Sequence, residues 1–170
     1  YNKKLEYLAN NDLLTNVNNR RVFDSKLEHL ILIHQRHKQP INLLFIDIDN
    51  FKDINDKFGH AIGDKVLVRI ATILKNNIRK SDLIARWGGE EFVIAYINSS
   101  FEDSLLTTEK LKDLIENDYI LKDLNQGNIT ASFGLTTLKK DDKADDLINR
   151  ADIAMYESKN SGKNRISIIN

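Results

Sequence analysis

The sequence contains no cysteine, and it has only one proline, one tryptophan and one methionine among 170 residues. Without cysteine, neither a disulfide framework nor a thiolate metal site can form. A metal ion would have to be held by oxygen atoms or by one of the four histidines. Oxygen ligands favour Mg²⁺ or a similarly hard cation.

The sequence also lacks a net charge, because 25 basic side chains balance 25 acidic ones. A protein that binds many backbone phosphates usually carries a basic surplus, so we expect no nucleic-acid partner. A mononucleotide needs only a few local cations and stays possible. The hydrophobic share of 41% and the charged share of 29% are ordinary for one globular domain of this length.

Long apolar runs are absent as well. None approaches the ~20 residues of a membrane-spanning helix, and the first twelve residues lack the apolar centre of a signal peptide. We therefore expect a cytoplasmic domain, whose parent protein could still be membrane-anchored. Because the chain does not begin with Met, we expect a fragment in which the end of a linker helix (1–10) leads into one domain (11–170).

Hydrophobic spacing predicts an alternation of strands and helices after an initial helix over 21–34. The order is strand, helix, hairpin, helix, strand, helix, strand. It fits an α+β fold with a βαββαβ ferredoxin-like core, in which helices cover a central antiparallel sheet. The predicted segments are a strand over 41–48, a glycine-punctuated loop over 49–64, a helix from 65 to 78, a hairpin over 83–97, a helix over 103–117, a strand over 128–138, a helix over 144–160 and a strand over 165–169.

Acidic side chains occur at two predicted turns. Asp47 and Asp49 end the first strand, and their spacing of two places both on one face if the strand persists that far. Glu90 and Glu91 follow Gly-Gly, a two-residue link that is a strong hairpin signal. Either pair alone would be ordinary solvated acids. A hairpin beside the first strand would bring the pairs together, and converging carboxylates repel one another unless a cation such as Mg²⁺ compensates them.

The predicted loop over 49–64 supplies polar groups for a nucleotide. Phe51, Lys52 and two glycines would let the backbone approach phosphates, with Lys52 as a point charge. Asn55 and Asp64 could recognise a purine edge, since guanine presents donors that suit a carboxylate and acceptors that suit an amide. Helix or turn capping is the alternative for both residues, and His60 could simply be a turn residue.

Five motifs in order resemble the GGDEF domain of diguanylate cyclases, with GGEEF as the accepted variant. They are "NDLLTNVNNRR", which has Val17 where the family has Leu, then "DIDNFKDINDKFGHAIGD", "RWGGEEF", "SFG" and "ADIAMYESKNSGKN". The match spans residues 11 to about 166, and five motifs at family spacing are far more specific than one. The resemblance implies a palm-like fold related to nucleotidyl cyclases and polymerases.

The resemblance also implies a reaction and its partners. Two GTP molecules would give cyclic di-GMP and two pyrophosphates, with Mg²⁺ as the metal and Mn²⁺ as a possible substitute. Each domain would bind one GTP, and a homodimer would bring the two together. An upstream sensor domain in the parent protein would control that dimer.

Residue by residue, the resemblance assigns the metal and the catalytic base. Asp47, the Ile48 carbonyl and Glu90 would be Mg²⁺ ligands, with Glu91 adjacent to them. Glu90 would also accept the proton of the 3′-hydroxyl, so Glu90 and Asp47 are the predicted catalytic residues. The remaining substrate contacts implied are Asn55 and Asp64 for guanine, His60 and Phe51 in the same signature, and Lys52, Lys159 and Lys163 for phosphate.

Two positions bear on how the family pattern transfers. The last motif commonly ends in Gly-Arg-Asn, and Lys163 stands in the Arg place here. Lysine keeps the charge but loses the fork that binds phosphate bidentately. Asp64 is retained, which argues against relatives that altered this position to accept adenine.

"RKSD" matches the R-x-x-D site at which family members bind cyclic di-GMP as an inhibitor. Arg79 can bond a guanine Hoogsteen edge and Asp82 can accept from its Watson–Crick side. The alternative is a polar turn that opens the next strand. Two other functions also stay open: a non-catalytic module that binds cyclic di-GMP or GTP, and another nucleotidyl cyclase or polymerase-like enzyme with ATP-derived products.

Overall fold

A computed structural model describes residues 2–170. Five strands and seven helices form over this part of the chain. In chain order they are α1 (Asn2–Asn10), α2 (Arg20–His37), β1 (Ile41–Ile48), α3 (Phe51–Phe58), α4 (His60–Asn76), β2 (Leu83–Arg86), β3 (Glu91–Ile97), α5 (Phe101–Glu116), α6 (Tyr119–Asn125), β4 (Ala131–Thr137), α7 (Ala144–Asn160) and β5 (Ile166–Ile168).

The strands form one sheet in the order β2-β3-β1-β4-β5. The central strand β1 pairs antiparallel with β3 on one side and with β4 on the other. This confirms the predicted α+β palm-like fold with its βαββαβ core. The edge strand β5 pairs parallel with β4, so the complete sheet is mixed.

Helices cover both faces of the sheet, and β1 contributes alternate side chains to each face. Leu44 and Ile46 pack in the core on the α4 and α5 side. Leu43 and Phe45 pack in the core on the α2 and α7 side. Asp47 continues this second row, and the sequence therefore directs its carboxylate toward α7.

The prediction of a loop over 49–64 is wrong, because these residues form α3 and the start of α4 (60–64). Phe51 and Ile54 bury one face of α3 at helical spacing, and Gly59 separates the two helices with φ of 89°. Glycine adopts this left-handed conformation without the strain that a side chain would cause. Gly59 therefore marks a helix boundary, and Gly63 lies inside α4, where the sequence interpretation placed a loop.

The predicted two-residue Gly-Gly link is also wrong. The Trp87 amide donates to the Glu91 carbonyl at 2.7 Å, so three residues, 88–90, connect the paired positions. Neither Gly88 nor Gly89 has a positive φ. A methyl group at Gly88 would overlap the flexible end of the Glu91 side chain, so that carboxylate would have to move.

At the start of the chain, α1 lies where the end of a linker helix is predicted, and Tyr1 lies outside the described residues. The linker role and the domain boundary stay predictions. Across residues 2–170, no helix combines the length and the apolar character that a membrane crossing needs.

Candidate active site

The ammonium group of Lys159 lies between the acids at the end of β1. Its Nζ is 3.0 Å from Asp47 Oδ1 and 2.8 Å from Asp49 Oδ1, and it donates to the Ile48 carbonyl at 3.2 Å. Both carboxylates therefore contact the same ammonium group, although β1 ends at Ile48, before Asp49. Lys159 lies in the last turn of α7. Its ammonium reaches the end of β1 because α7 packs across β4 and β1.

Asp49 is held by the surrounding fold as well as by Lys159. It is 3% exposed and accepts from Thr130 Oγ1 and Ser132 Oγ, both at 2.7 Å, and from the Asn164 amide at 3.0 Å. Burial acts to raise the pKa of Asp49, but hydrogen bonds from Lys159, Ser132 and Thr130 outweigh burial and lower it. Asp49 is thus a charged, fully bonded anchor between β1, β4 and the loop after α7.

Asp47 faces a different environment, because fewer donors compensate its burial. Burial raises its pKa despite the hydrogen bond from Lys159. In the sheet Asp47 pairs directly with Glu91, so the two side chains project from the same face. The adjacent Glu90 lies just outside the strand pairing. Its backbone carbonyl accepts from the Ile48 amide at 3.2 Å.

Both glutamates of the hairpin are partly buried and lie near other carboxylates. Burial and the Asp47 charge raise the pKa of Glu90. Burial, followed by the charges of Asp47, Asp152 and Glu90, raises the pKa of Glu91. Accumulated negative charge of this kind favours protonation or the binding of a cation.

Two contributors to this site were not predicted. Asp152, on α7, lies within electrostatic range of Asp47 and Glu91, and burial raises its own pKa. Arg20 stacks over the Trp87 ring at 4.2 Å, and its charge acts to lower the pKa of Glu91. Asp152 could have been found from its spacing, since residues 152 and 159 are two helical turns apart on one face.

Two of the lysines predicted to contact phosphate, Lys52 and Lys163, lie at the start of α3. Asn50, before this helix, has a left-handed φ of 56° and makes no side-chain cap, so the first amides of α3 have no capping side chain. Uncapped amides at a helix start favour an anion. Lys163 Nζ contacts Asn50 Oδ1 at 2.7 Å, and Lys52 is exposed in the first turn.

The predicted guanine contacts lie where α3 meets α4. Asn55 Oδ1 is buried and has no hydrogen-bond partner among the described residues. Gly63 packs against Asn55, since a methyl group at 63 would overlap the amide oxygen. Asp64 and His60 are exposed on α4. Phe51 is 9% exposed and packs in the core, so it supports this region from below.

Arg79 and Asp82 lie away from these acids, in the turn before β2. Asp82 accepts from the Arg79 and Ile97 amides at 2.9 and 3.0 Å, and from Arg79 Nη2 at 3.3 Å. Arg79 also donates to the Ile97 carbonyl, while its side chain stays 55% exposed. These bonds close a polar turn, as the alternative interpretation expected, and leave Arg79 accessible beside a cavity of about 350 Å³.

The oxygen atoms near Lys159 suit a hard cation. No group of three or more histidine, aspartate or glutamate side chains in residues 2–170 is arranged to hold a metal by itself. Asp47 and the Ile48 carbonyl nevertheless already coordinate a cation, the Lys159 ammonium. Mg²⁺ needs only one or two carboxylates when substrate phosphates complete its shell, so the donor set fits this metal.

The mixed sheet and the helices on both of its faces define a palm-like α+β domain. The sequence model "Diguanylate cyclase, GGDEF domain" matches residues 9–165. The chain belongs to this family, as its motifs predict.

Named relatives agree with this assignment. Diguanylate cyclase A of Treponema denticola is 37% identical over 171 residues, which cover 98% of this chain and 46% of that protein. The chain therefore spans about half the length of that relative.

Solved structures resemble the fold closely. The coiled coil and GGDEF domain of DgcB from Caulobacter crescentus, in complex with c-di-GMP, has a TM-score of 0.91 at 29% identity, covering 98% of this chain and 89% of that one. The diguanylate cyclase SiaD of Pseudomonas aeruginosa, in complex with its activator SiaC, has a TM-score of 0.90 at 33% identity, covering 99% and 65%.

Proposed function

We propose that this domain is a diguanylate cyclase, which converts two GTP molecules into cyclic di-GMP and two pyrophosphates. The observation that carries the proposal is the acidic cluster at the end of β1. Asp47 pairs with Glu91 beside Glu90, and Asp47 and the Ile48 carbonyl already bind the Lys159 ammonium. The family assignment supports it.

The proposed metal is Mg²⁺, and Mn²⁺ has similar ligand preferences. Asp47, the Ile48 carbonyl and Glu90 would hold it, with Glu91 in support. A bound Mg²⁺ would polarise the attacking hydroxyl and offset the charge that develops on the leaving pyrophosphate. The negative charge that raises the pKa of Glu90 and Glu91 is charge that a divalent cation would compensate.

Glu90 is the proposed base. In each half of the reaction the 3′-oxygen of one GTP attacks the α-phosphorus of the other, and the bond from that phosphorus to pyrophosphate breaks. The hydroxyl proton passes to Glu90. Burial and the Asp47 charge raise the pKa of Glu90 in the metal-free domain, and a bound cation would keep its carboxylate ionised and able to accept the proton.

The phosphates would lie at the start of α3. Its uncapped amides, together with Lys52, Lys159 and Lys163, provide donors and positive charge beside the metal ligands. Lys163 contributes charge only, since it lacks the guanidinium fork.

Asn55, Asp64 and His60 would select guanine. The unpartnered buried oxygen of Asn55 can accept from a guanine N–H, which would relieve an unsatisfied polar group. Asp64 can accept the N1–H and N2–H₂ pair. Phe51 supports these contacts by packing beneath them.

Two copies are needed, because one domain binds only one of the two reacting GTP molecules. We propose that a homodimer forms, that α1 joins the domain to an upstream sensor, and that the reaction takes place in the cytoplasm, where GTP is available. The DgcB structure contains a coiled coil next to its GGDEF domain. That relative supports a helical connection of this kind.

Arg79 is the proposed main contact for cyclic di-GMP as an inhibitor. Asp82 would hold Arg79 in place, and a remaining lone pair of the Asp82 carboxylate would accept a hydrogen bond from the ligand. The c-di-GMP complex of DgcB supports product binding by this family. A purely receptive module would bind cyclic di-GMP through these residues and leave GTP unconsumed, which calorimetry and a GTP assay together would reveal.

Glu90→Gln tests the proposed base. We expect turnover to fall at least a thousandfold, because the amide can neither accept the proton nor supply a metal-binding charge. Pyrophosphate release from GTP and Mg²⁺ measures the effect, with circular dichroism to confirm folding. Glu109→Gln, on the exposed surface of α5, is the matched control and should be fully active. Normal turnover by Glu90→Gln would contradict the assigned role.

A further inference from the structure

Lys159 contacts the same oxygen atoms that are proposed as metal ligands. Its Nζ lies 3.0 Å from Asp47 Oδ1 and 3.2 Å from the Ile48 carbonyl oxygen. The Lys159 side chain is only 19% exposed, so the ammonium is enclosed among these acceptors. Lys163 differs, because its Nζ contacts the neutral Asn50 side chain and no carboxylate.

A second cation cannot join this arrangement without moving the first. Two positive charges that share a ligand would lie a few ångströms apart, where repulsion in a partly buried site is large. Asp47 Oδ1 and the Ile48 carbonyl oxygen are both already in contact with the ammonium. Lysine and a divalent ion should therefore compete for Asp47 and Ile48.

On this basis, which rests on the proposed function, we propose that Lys159 is a built-in counter-cation that occupies the metal position until a divalent ion displaces it. Its side chain then leaves Asp47 and the Ile48 carbonyl. Asp49 stays in place, because Thr130, Ser132 and the Asn164 amide hold it independently of Lys159. The Lys159 ammonium therefore keeps its contact with Asp49 when it leaves the other two oxygen atoms.

The displaced ammonium needs a new partner, and nucleotide phosphates would provide one. A divalent ion alone must displace Lys159 without such compensation. A divalent ion that arrives with a triphosphate brings anionic oxygen atoms close to Asp49, within reach of the displaced ammonium. Metal and nucleotide therefore bind with positive coupling, and Lys159 carries part of that coupling.

Mn²⁺ titration without nucleotide, followed by electron paramagnetic resonance, tests the competition. Lys159→Gln removes the competing charge, and we expect Mn²⁺ to bind about tenfold more tightly than in the wild-type protein. Lys163→Gln is the matched control, since it removes one charge from the same region without freeing a ligand. Its Mn²⁺ affinity should change by less than about twofold. Equal shifts in both variants, or no tightening in Lys159→Gln, would overturn the proposal.

A measurement on the wild-type protein covers the case in which Lys159→Gln does not fold. The ε-methylene NMR signal of Lys159 should shift when Mg²⁺ alone is added, since the ammonium leaves Asp47. The signal of Lys163 should stay nearly constant. A Lys159 signal that is unchanged at saturating Mg²⁺ would overturn the proposal.

Both measurements are made without GTP, so they fail independently of the cyclase assignment. Absence of the Mn²⁺ effect would overturn the counter-cation proposal without contradicting the cyclase assignment. Conversely, a protein that shows the Mn²⁺ effect and makes no cyclic dinucleotide would retain the counter-cation and lose the proposed reaction.

Discussion

At the scale of single residues, Gly63 leaves space for Asn55, a residue of the proposed guanine contact. A side chain at this position would meet the buried oxygen of Asn55 and the ring of Phe51. The helix backbone at 63 needs no unusual conformation, so the requirement is purely one of volume. A side chain at residue 63 would therefore force the Asn55 amide out of its present position.

Gly63→Ala should raise the KM for GTP about tenfold with a smaller change in kcat, because loss of one or two hydrogen bonds is worth ~1.4 kcal/mol. Calorimetric GTP binding to the Glu90→Gln variant, with and without Gly63→Ala, measures affinity without turnover. Gly127→Ala is the control, since a methyl group there meets only the Asn125 amide at 3.9 Å. Unchanged affinity would contradict the role given to Asn55.

Part of the site is visible in the sequence and part is not. Asp47 and Glu90 stand next to local signals, a strand end and a glycine turn, and the sheet pairs Asp47 with Glu91, the neighbour of Glu90. Lys159 meets Asp47 only because α7 packs against β1, 112 positions earlier in the chain. The sequence interpretation assigned Lys159 to phosphate from the family pattern alone. Its contact with the metal ligands depends on tertiary packing, which no local spacing encodes.

At the scale of helices and strands, α7 and β4 approach each other unusually closely at Gly134. A methyl group there would overlap backbone atoms of Ala151 and Met155, which no rotamer change can relieve. This approach sets the height of α7 above the sheet, and with it the position of Lys159.

Gly134→Ala should therefore lower the free energy of unfolding by about 1–3 kcal/mol or more. Urea denaturation measures this difference, and Gly127→Ala is again the control because its surroundings are open. Stability equal to the wild-type protein would show that α7 can shift outward at little cost.

The short helix α6 was missed by the sequence interpretation for a tertiary reason. Its N-cap, Asp118, accepts from the Leu121 amide at 3.0 Å and from Arg69 at 2.7 and 3.0 Å. Arg69 lies on α4, 49 positions away. By contrast β1 and α7 coincide with their predicted ranges, since each has a long hydrophobic pattern of its own.

Substitutions of Asp118 separate its cap from its charge. Asp118→Ala should lower the free energy of unfolding by about 1–2 kcal/mol, whereas Asp118→Asn keeps a cap acceptor and should lose less. The hydrogen bond from Arg69 lowers the pKa of Asp118, so the charge-dependent stabilisation is present above the unfolded carboxyl pKa of ~3.9. It is lost as pH falls through the lower folded pKa.

Denaturation of wild-type protein and Asp118→Asn between pH 2 and 7 measures this linkage, because carboxyl groups titrate within this pH interval. The stability difference between the two should be constant near neutral pH and should shrink below about pH 4. A difference that grows toward acid pH would contradict the ion pair with Arg69.

At the scale of the whole molecule, the proposed active site is complete only when two copies meet. Under the proposed mechanism, each copy would supply one acidic cluster, one set of phosphate donors and one guanine pocket, which together would bind one GTP. Specific activity should therefore rise with protein concentration until the dimer is saturated. Fusion of α1 to a parallel coiled coil should remove that dependence, because it raises the effective concentration of the two domains.

Analysis of the nucleotide products tests the central claim most directly. Wild-type protein, both alone and fused to a coiled coil, is incubated with GTP and Mg²⁺, and the mixture is separated by anion-exchange chromatography. The expected result is cyclic di-GMP with two pyrophosphates for each two GTP consumed, and no product from ATP. Intact GTP in the presence of the forced dimer, or a cyclic product that forms preferentially from ATP, would contradict the assignment as a diguanylate cyclase.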